Sequence, residues 1–328
     1  MTRLLVAVPY KVFLTIYIAV SFCVMLRCSS SDDNVNEPRI DGSVSYIDSL
    51  PRLPSDCMAV TIRDSTLYFA CGYPPLLQTR FIQSSEPETI FAFPASSHIV
   101  HIAVHDDRIA ISDAGMHCIW ASMGDSIYSR HEPGIYRKLT PISSAWCSPD
   151  SVVVSGFWLS RINERLSVHY GHGFYNFITE HVRFDIDTAL SDYPELGRIN
   201  PVDVIIGNGS DIKTVRLSGN TLTIRPLISS DDRVSSALLP PALQSPPGKV
   251  DLTMAGCIFG VHGATSCLVR GNDISVLVIH RNDSQRPMYL SLPEIEPDWR
   301  LIGITDDFIL WRTSSGEIIR LGPASPVE

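Results

Sequence analysis

Lysine is scarce: Lys11, Lys138, Lys213 and Lys249 are the only four, against 22 arginines. Basic residues nowhere gather into a dense cluster, and the formal net charge is −9 at pH 7. A phosphate backbone is repelled on average by such a chain, so no nucleic-acid partner is expected. Local catalytic signatures are missing too. The sequence holds no P-loop, no G-x-G-x-x-G turn and no G-x-S-x-G nucleophile elbow. No stretch has the acidic spacing and terminal glutamate of an EF-hand calcium loop. Eight cysteines occur without a C-x-x-C, so zinc ribbons and thioredoxin-type sites find no support, and neither a metal nor a cofactor is expected. Amphipathic runs of strong helix formers are few. Charged residues make up 19% and hydrophobic ones 45%, which permits a large core and excludes charge-driven disorder.

What is present begins at the N-terminus. Val12 to Leu26 form a 15-residue uncharged apolar run preceded by Arg3 and Lys11. That is the layout of an export signal, with an apolar core too short to span a bilayer comfortably. Arg27 and Cys28 follow, then the polar run Ser29-Ser30-Ser31-Asp32-Asp33-Asn34. An apolar segment ending in Leu-x-Cys before an acidic tether resembles a bacterial lipoprotein signal, which implies lipidation of Cys28. It also resembles the tethers of surface-exposed lipoproteins in bacteria with two membranes. Arg27 departs from that pattern, where a small residue normally precedes the cysteine. An uncleaved signal anchor and an ordinary cleaved signal peptide are the alternatives, and all three place the remainder outside the cytoplasm. The expected division is a signal at 1–27, a polar tether at 28–56 and a folded body at 57–328. Removing the signal takes away Arg3, Lys11 and Arg27, leaving a net charge of −12.

The body reads as repeated hairpins. MAVTI-RDS-TLYFA (58–70), IVHIAV-HDD-RIAIS (99–112), SAW-CSPD-SVVVSG (144–156), VRLS-GN-TLTI (215–224) and WRLIGI-TDD-FILW (299–311) set β-branched and aromatic residues around Asp, Asn, Gly or Pro turns. Asp64, Asp107 and Asp150 are spaced by 43 and 43 residues, and Gly207, Gly256 and Gly303 by 49 and 47. A period of roughly 40–50 residues, about four short strands per unit, is the signature of a propeller. The expectation is an all-β fold, a single β-propeller of about six blades of four antiparallel strands. Residues 40–50 are available to complete the last blade and close the ring. Two β-sandwich domains in tandem are the alternative, and Asp187–Pro201 is expected to be a loop or short helix.

Residues 131–154 carry a further resemblance. His131-Glu132-Pro133-Gly134-Ile135-Tyr136, then Pro141-Ile142, then Ser148-Pro149-Asp150-Ser151-Val152-Val153-Val154 is similar to an inter-blade element of bacterial six-bladed propeller lipoproteins of the NHL and TolB-like groups. There a G-x-G-P-G-E-[FY] turn precedes a Pro-initiated strand and an Asp-turn hairpin. Arg130, His131 and Ile135 depart from it, and the match is strong over about one blade. It implies a propeller in the cell envelope and no single activity.

Chemistry is harder to find. Cys57 and Cys71 lie symmetrically about Asp64, and Cys257 and Cys267 about His262, so each pair is either a cross-strand disulfide or two buried thiols. Cys118 and Cys147 form a weaker third pair. His98 and His101, like His169 and His172, are three apart, which on strands points them to opposite faces. Gly171-His172-Gly173 is expected to be a turn. Asp106-Asp107, Asp231-Asp232 and Asp306-Asp307 suit either calcium or general acid–base work, or turn capping, since two of the three pairs sit at hairpin turns where Asp caps the backbone. Phe157, Trp158, Tyr170, Phe174, Tyr175 and Phe177 suit either a stacking patch for carbohydrate or peptide, or filler between blades. The expected function is that of a monomeric, envelope-anchored, non-catalytic module at the outer membrane or cell surface. It would be held to the membrane by an N-terminal lipid or anchor and bind a protein, peptide or glycan. The alternative is a propeller hydrolase or lyase with a metal or carboxylate site at the central channel.

Overall fold

The computed structural model describes residues 38–124, 128–132, 139–162, 165–180, 182–192, 204–228, 234–241, 243, 252–259, 264–271, 274–281, 286–293, 296–304 and 307–323. The expected export signal (1–27), Cys28 and residues 29–37 of the expected tether lie outside them. Pro38–Glu328 form one compact unit. Among the described residues every regular element is a strand, twenty-four in all.

β1 (Gly42–Leu50) precedes a series of antiparallel meanders. The first is β2 (Ala59–Arg63), β3 (Thr66–Cys71), β4 (Leu76–Phe81) and β5 (Glu88–Ala92); the second is β6 (Ile99–His105), β7 (Arg108–Asp113), β8 (Cys118–Met123) and β9 (Ser129–His131). The third has long strands, β10 (Thr140–Ser148), β11 (Ser151–Ile162), β12 (Arg165–Asn176) and β13 (Val182–Asp192). The fourth is β14 (Val204–Asn208), β15 (Asp211–Ser218), β16 (Thr221–Ile228) and β17 (Ser235–Leu238). Then come β18 (Thr253–Phe259), β19 (Thr265–Arg270), β20 (Ser275–His280) and β21 (Met288–Ser291), and finally β22 (Trp299–Ile304), β23 (Phe308–Arg312) and β24 (Ile318–Pro323). The segment Asp187–Pro201, expected to be a loop or helix, is strand as far as Asp192, because β12 pairs with β13 from Tyr175↔Val182 through Tyr170↔Asp187 to Ser167↔Asp192, and residues 193–201 lie outside the described residues. The same pairing puts Gly171-His172-Gly173 in mid-strand rather than in a turn.

The first strand of each meander packs against the first strand of the next. β2, β6, β10, β14, β18 and β22 follow in turn, and β22 returns to β2. The sheets therefore stand radially around an axis, and the two-sandwich alternative is excluded. A radial sheet buries both faces, which explains apolar runs that do not alternate. Val152 and Val154 enter the wedge toward the second sheet, whereas Val153 enters the wedge toward the fourth. Likewise Cys267 and Val269 face the fourth sheet and Leu268 faces the last. Each wedge between neighbouring sheets holds its own apolar cluster, and together these are the core.

The last meander has three consecutive strands, and β1 supplies the fourth. It pairs antiparallel with β24 from Val44↔Pro323 to Leu50↔Ile318. Through Gly42↔Leu290 and Ser43↔Ser291 it also touches β21 in parallel, joining the last two meanders into one eight-stranded sheet. Polar clasps hold this closure. Arg320 forks onto both carboxylate oxygens of Asp48, while the Asp41 N–H donates to Tyr289 O and the Tyr289 N–H donates to Asp41 Oδ2, each at 2.8 Å. The segment 40–50 considered for closing the ring thus lies in the sheet.

Candidate functional site

The six inner strands are sheet edges facing the axis, so their unpaired backbone groups and intervening side chains form the wall of a channel. Its C-terminal half widens into a cavity of about 150 Å³ to which all six contribute, among them Arg63, His101, Trp146, Ile206, Cys257 and Ile302. Arg63, Phe259 and Gly303 of its lining stand at or next to the C-terminal ends of β2, β18 and β22, so the cavity reaches toward the turns that follow the inner strands.

Those turns carry acids. Asp64 and Ser65, at φ 47° and 64°, make the two-residue turn after β2, and Asp106, at φ 53°, begins the turn after β6. Asp tolerates the left-handed region better than most side chains, so turn chemistry accounts for its presence there. The Asp64 and Asp106 side chains are 84% and 62% exposed, which makes them available to a partner as well. Asp107 is exposed beside them, and Asp150 closes the turn after β10. Arg63 reaches Asp64 Oδ2 at 3.1 Å through Nε.

His101 is the histidine of the channel wall. The Ser144 backbone N–H donates to its Nδ1 at 3.3 Å, which leaves the ring proton on Nε2. Burial drives its pKa down to about 4, so the ring is neutral at physiological pH. His98, expected on the same strand with the opposite facing, instead lies in the loop just before β6 and is exposed. Among the described residues no three His, Cys, Asp or Glu side chains converge to hold a metal ion.

Of the cysteine pairs, Cys257 and Cys267 are bonded across β18 and β19, with Cys257 on the channel wall. Cys57 and Cys71 are not; both are buried free thiols, as are Cys118 (buried) and Cys147 (half-buried). The reason is register. The Asp64-Ser65 turn pairs Arg63 with Thr66 and Ala59 with Ala70, so Cys57 falls one place away from Cys71. Burial pushes the Cys71 thiol up to about 11 and Cys118 up to about 12, and these thiols pack as small hydrophobes. The aromatic cluster is divided. Tyr175 and Phe177 are buried in the wedge between the second and third sheets, Trp158 packs on that wedge, and Phe174 packs on the next. Wedge filling therefore accounts for these four.

No protein-family model matches the chain, and no curated protein matches it. Solved structures do. Virginiamycin B lyase from Staphylococcus aureus superposes with a TM-score of 0.51 at 7% identity, over 86% of this chain and 99% of its own. The chain is a β-propeller. The luciferin-regenerating enzyme (TM-score 0.49, 9% identity, 86% of this chain and 95% of that one) scores lower. So does TolB from Acinetobacter baumannii (TM-score 0.46, 11% identity, 88% of this chain and 66% of that one). At these identities the likeness concerns fold alone.

One structurally decisive residue escapes motif reading. Asp113, fully buried at the end of β7, accepts from His98 N at 2.9 Å, Met116 N at 3.0 Å and Trp120 Nε1 at 3.0 Å. It fastens the loop entering the blade, the turn after β7 and the β8 tryptophan to one carboxylate. Its only trace in the sequence is an acid ending an apolar strand seven places before a Trp.

Proposed function

We propose that this propeller is an envelope-anchored interaction module whose channel face is non-catalytic and binds a positively charged polypeptide across the channel mouth. The observation that carries this is the placement of Asp64, Asp106, Asp107 and Asp150 on the turns around the mouth. Such a surface attracts cationic partners and speeds their encounter, with an effect that salt screens. Chain direction adds support. β22 and β24 run toward this face and β1 runs away from it, so the chain enters the propeller there.

Immobilised full-length protein offered a biotinylated ten-residue arginine-rich peptide at 50 and 300 mM NaCl tests the binding half. The combined variant D64K/D106K/D107K is expected to weaken Kd at least tenfold at low salt, with a smaller difference at high salt. Equal affinity of the two proteins would sink the assignment. Labelling with radioactive palmitate tests the anchor, with C28S expected to release an unlabelled, soluble product.

The hydrolase or lyase alternative has His101 in its favour, a neutral imidazole on the channel wall. No second acid or histidine of the described residues lines the cavity beside it, and that reading stands second.

A further inference from the structure

A cluster on the propeller's flank has no part in the channel. Ser129 and His131 are two residues apart on β9, so both side chains leave the strand on one face. Ser129 Oγ lies 2.6 Å from His131 Nε2, and His131 Nδ1 lies 3.1 Å from Tyr175 Oη on β12. With the ring proton on Nδ1 both contacts are satisfied: the Ser129 O–H donates to Nε2, and Nδ1–H donates to Tyr175 Oη. A contact from Ser129 Oγ to the Ala121 carbonyl, at 3.4 Å, is the weaker place for the serine proton.

This is the tautomer in which an imidazole can remove a serine proton while a third group holds its far nitrogen. The ring is fixed by edge-on packing against Phe177 (centroids 4.6 Å apart) and by Tyr175 (5.5 Å), both anchored in the wedge. Desolvation lowers the His131 pKa, partly countered by the Glu180 carboxylate, so the base is uncharged at neutral pH. Ser129 itself is exposed.

We infer that Ser129 is an activated nucleophile, with His131 its general base and Tyr175 a positioning residue, and that this flank accepts small activated acyl esters. Ser129 Oγ attacks the ester carbonyl carbon as its proton passes to His131 Nε2. The tetrahedral adduct then expels the alkoxide, which takes that proton and leaves as the alcohol. Water, deprotonated by the same imidazole, cleaves the acyl-serine and restores the hydroxyl.

The test uses the full chain and a biotinylated alkyl fluorophosphonate, which forms a serine O–P bond as fluoride departs. Mass spectrometry of the peptides locates the label. The label is expected on Ser129 in preference to other serines and lost in S129A, a change at an exposed side chain that leaves the fold intact. H131Q is expected to slow labelling about 100-fold, the usual scale of general-base assistance. In the unaltered chain the rate rises with pH to a plateau whose midpoint lies below 6.5, because the base form of a depressed histidine is required. Y175F is expected to move that midpoint while retaining the label. Label scattered over serines, an H131Q rate equal to that of the unaltered chain, or a rate climbing in proportion to hydroxide would each overturn the assignment. If H131Q folds poorly, the pH profile of the unaltered chain decides. None of these outcomes bears on the channel face.

Discussion

Adding one methyl group at Gly256 tests how the ring is sealed. On β18, Thr253 and Met254 pair with Arg270 and Val269, but Cys257 pairs with Cys267, so one extra residue is bulged between them. Gly256 sits in that bulge at φ +128°, a conformation side chains avoid. A Cβ there would stand 2.5 Å from Leu301 O and 3.0 Å from Leu301 N, both backbone atoms of the adjacent inner strand β22. Neither atom can swing aside. Backbone strain of about 1–3 kcal/mol and overpacking of about 1–3 kcal/mol add for G256A, giving about 4 kcal/mol. Gly209 is the control: its φ is +55° and nothing lies within 4 Å of its Cβ position, so G209A carries only the left-handed penalty of about 1–2 kcal/mol. Urea unfolding followed by tryptophan fluorescence reads the difference. With a slope near 3 kcal/mol per molar, the midpoint should fall by about 1.3 M in G256A and about 0.5 M in G209A. Equal shifts in the two variants, or an unmoved midpoint in G256A, would refute the packing argument.

Other expectations follow from single contacts. D113A strands three donors, two of them backbone, and should cost about 3–5 kcal/mol in the same assay; D113N, which keeps one acceptor oxygen, should cost less. His101 titrates near 4 in the folded chain and near 6.5 unfolded, so the unfolded state binds more protons between those values. Stability should therefore fall by up to about 3 kcal/mol as pH drops from 6.5 to 4, and H101Q should flatten that slope in a pH series of urea midpoints. The disulfide closes a short loop, with a sequence separation of 10. C257S/C267S should lose about 3 kcal/mol by chain entropy, while C57S/C71S, which breaks no bond, should keep a larger share of stability.

The cysteines show how far spacing carries. Two pairs had the same mirror symmetry about a turn residue, and one of them is bonded. For Cys57 and Cys71 the symmetry assumed an odd-numbered turn, whereas Asp64 and Ser65 form a two-residue turn that shifts the partners by one place. For Cys257 and Cys267 the match depends on the bulge at Gly256, where the backbone of β22 passes close by. A one-residue slip moves every side chain to the other face, so the number of residues between two cysteines is not enough to pair them. Candidate chemistry was less legible still. Histidine spacing assumed a strand that in fact begins only at Ile99, and only the ring brought the Ser144 N–H to His101 and put Ile206 and Ile302 on the wall of the same cavity.

The sequence alone determined strands, turns and period, because apolar runs bracketed by Asp and Gly act over a few residues. It also set the apolar N-terminal run and the acid content of the turns. The tertiary structure decided that both faces of each sheet are buried, that β1 completes the last sheet, and that six distant strand ends share one cavity. It also brought Tyr175 to His131 across a wedge 44 residues away in sequence. These are contacts between residues far apart in the chain, selected by how twisted sheets pack around an axis, and no local pattern encodes that geometry.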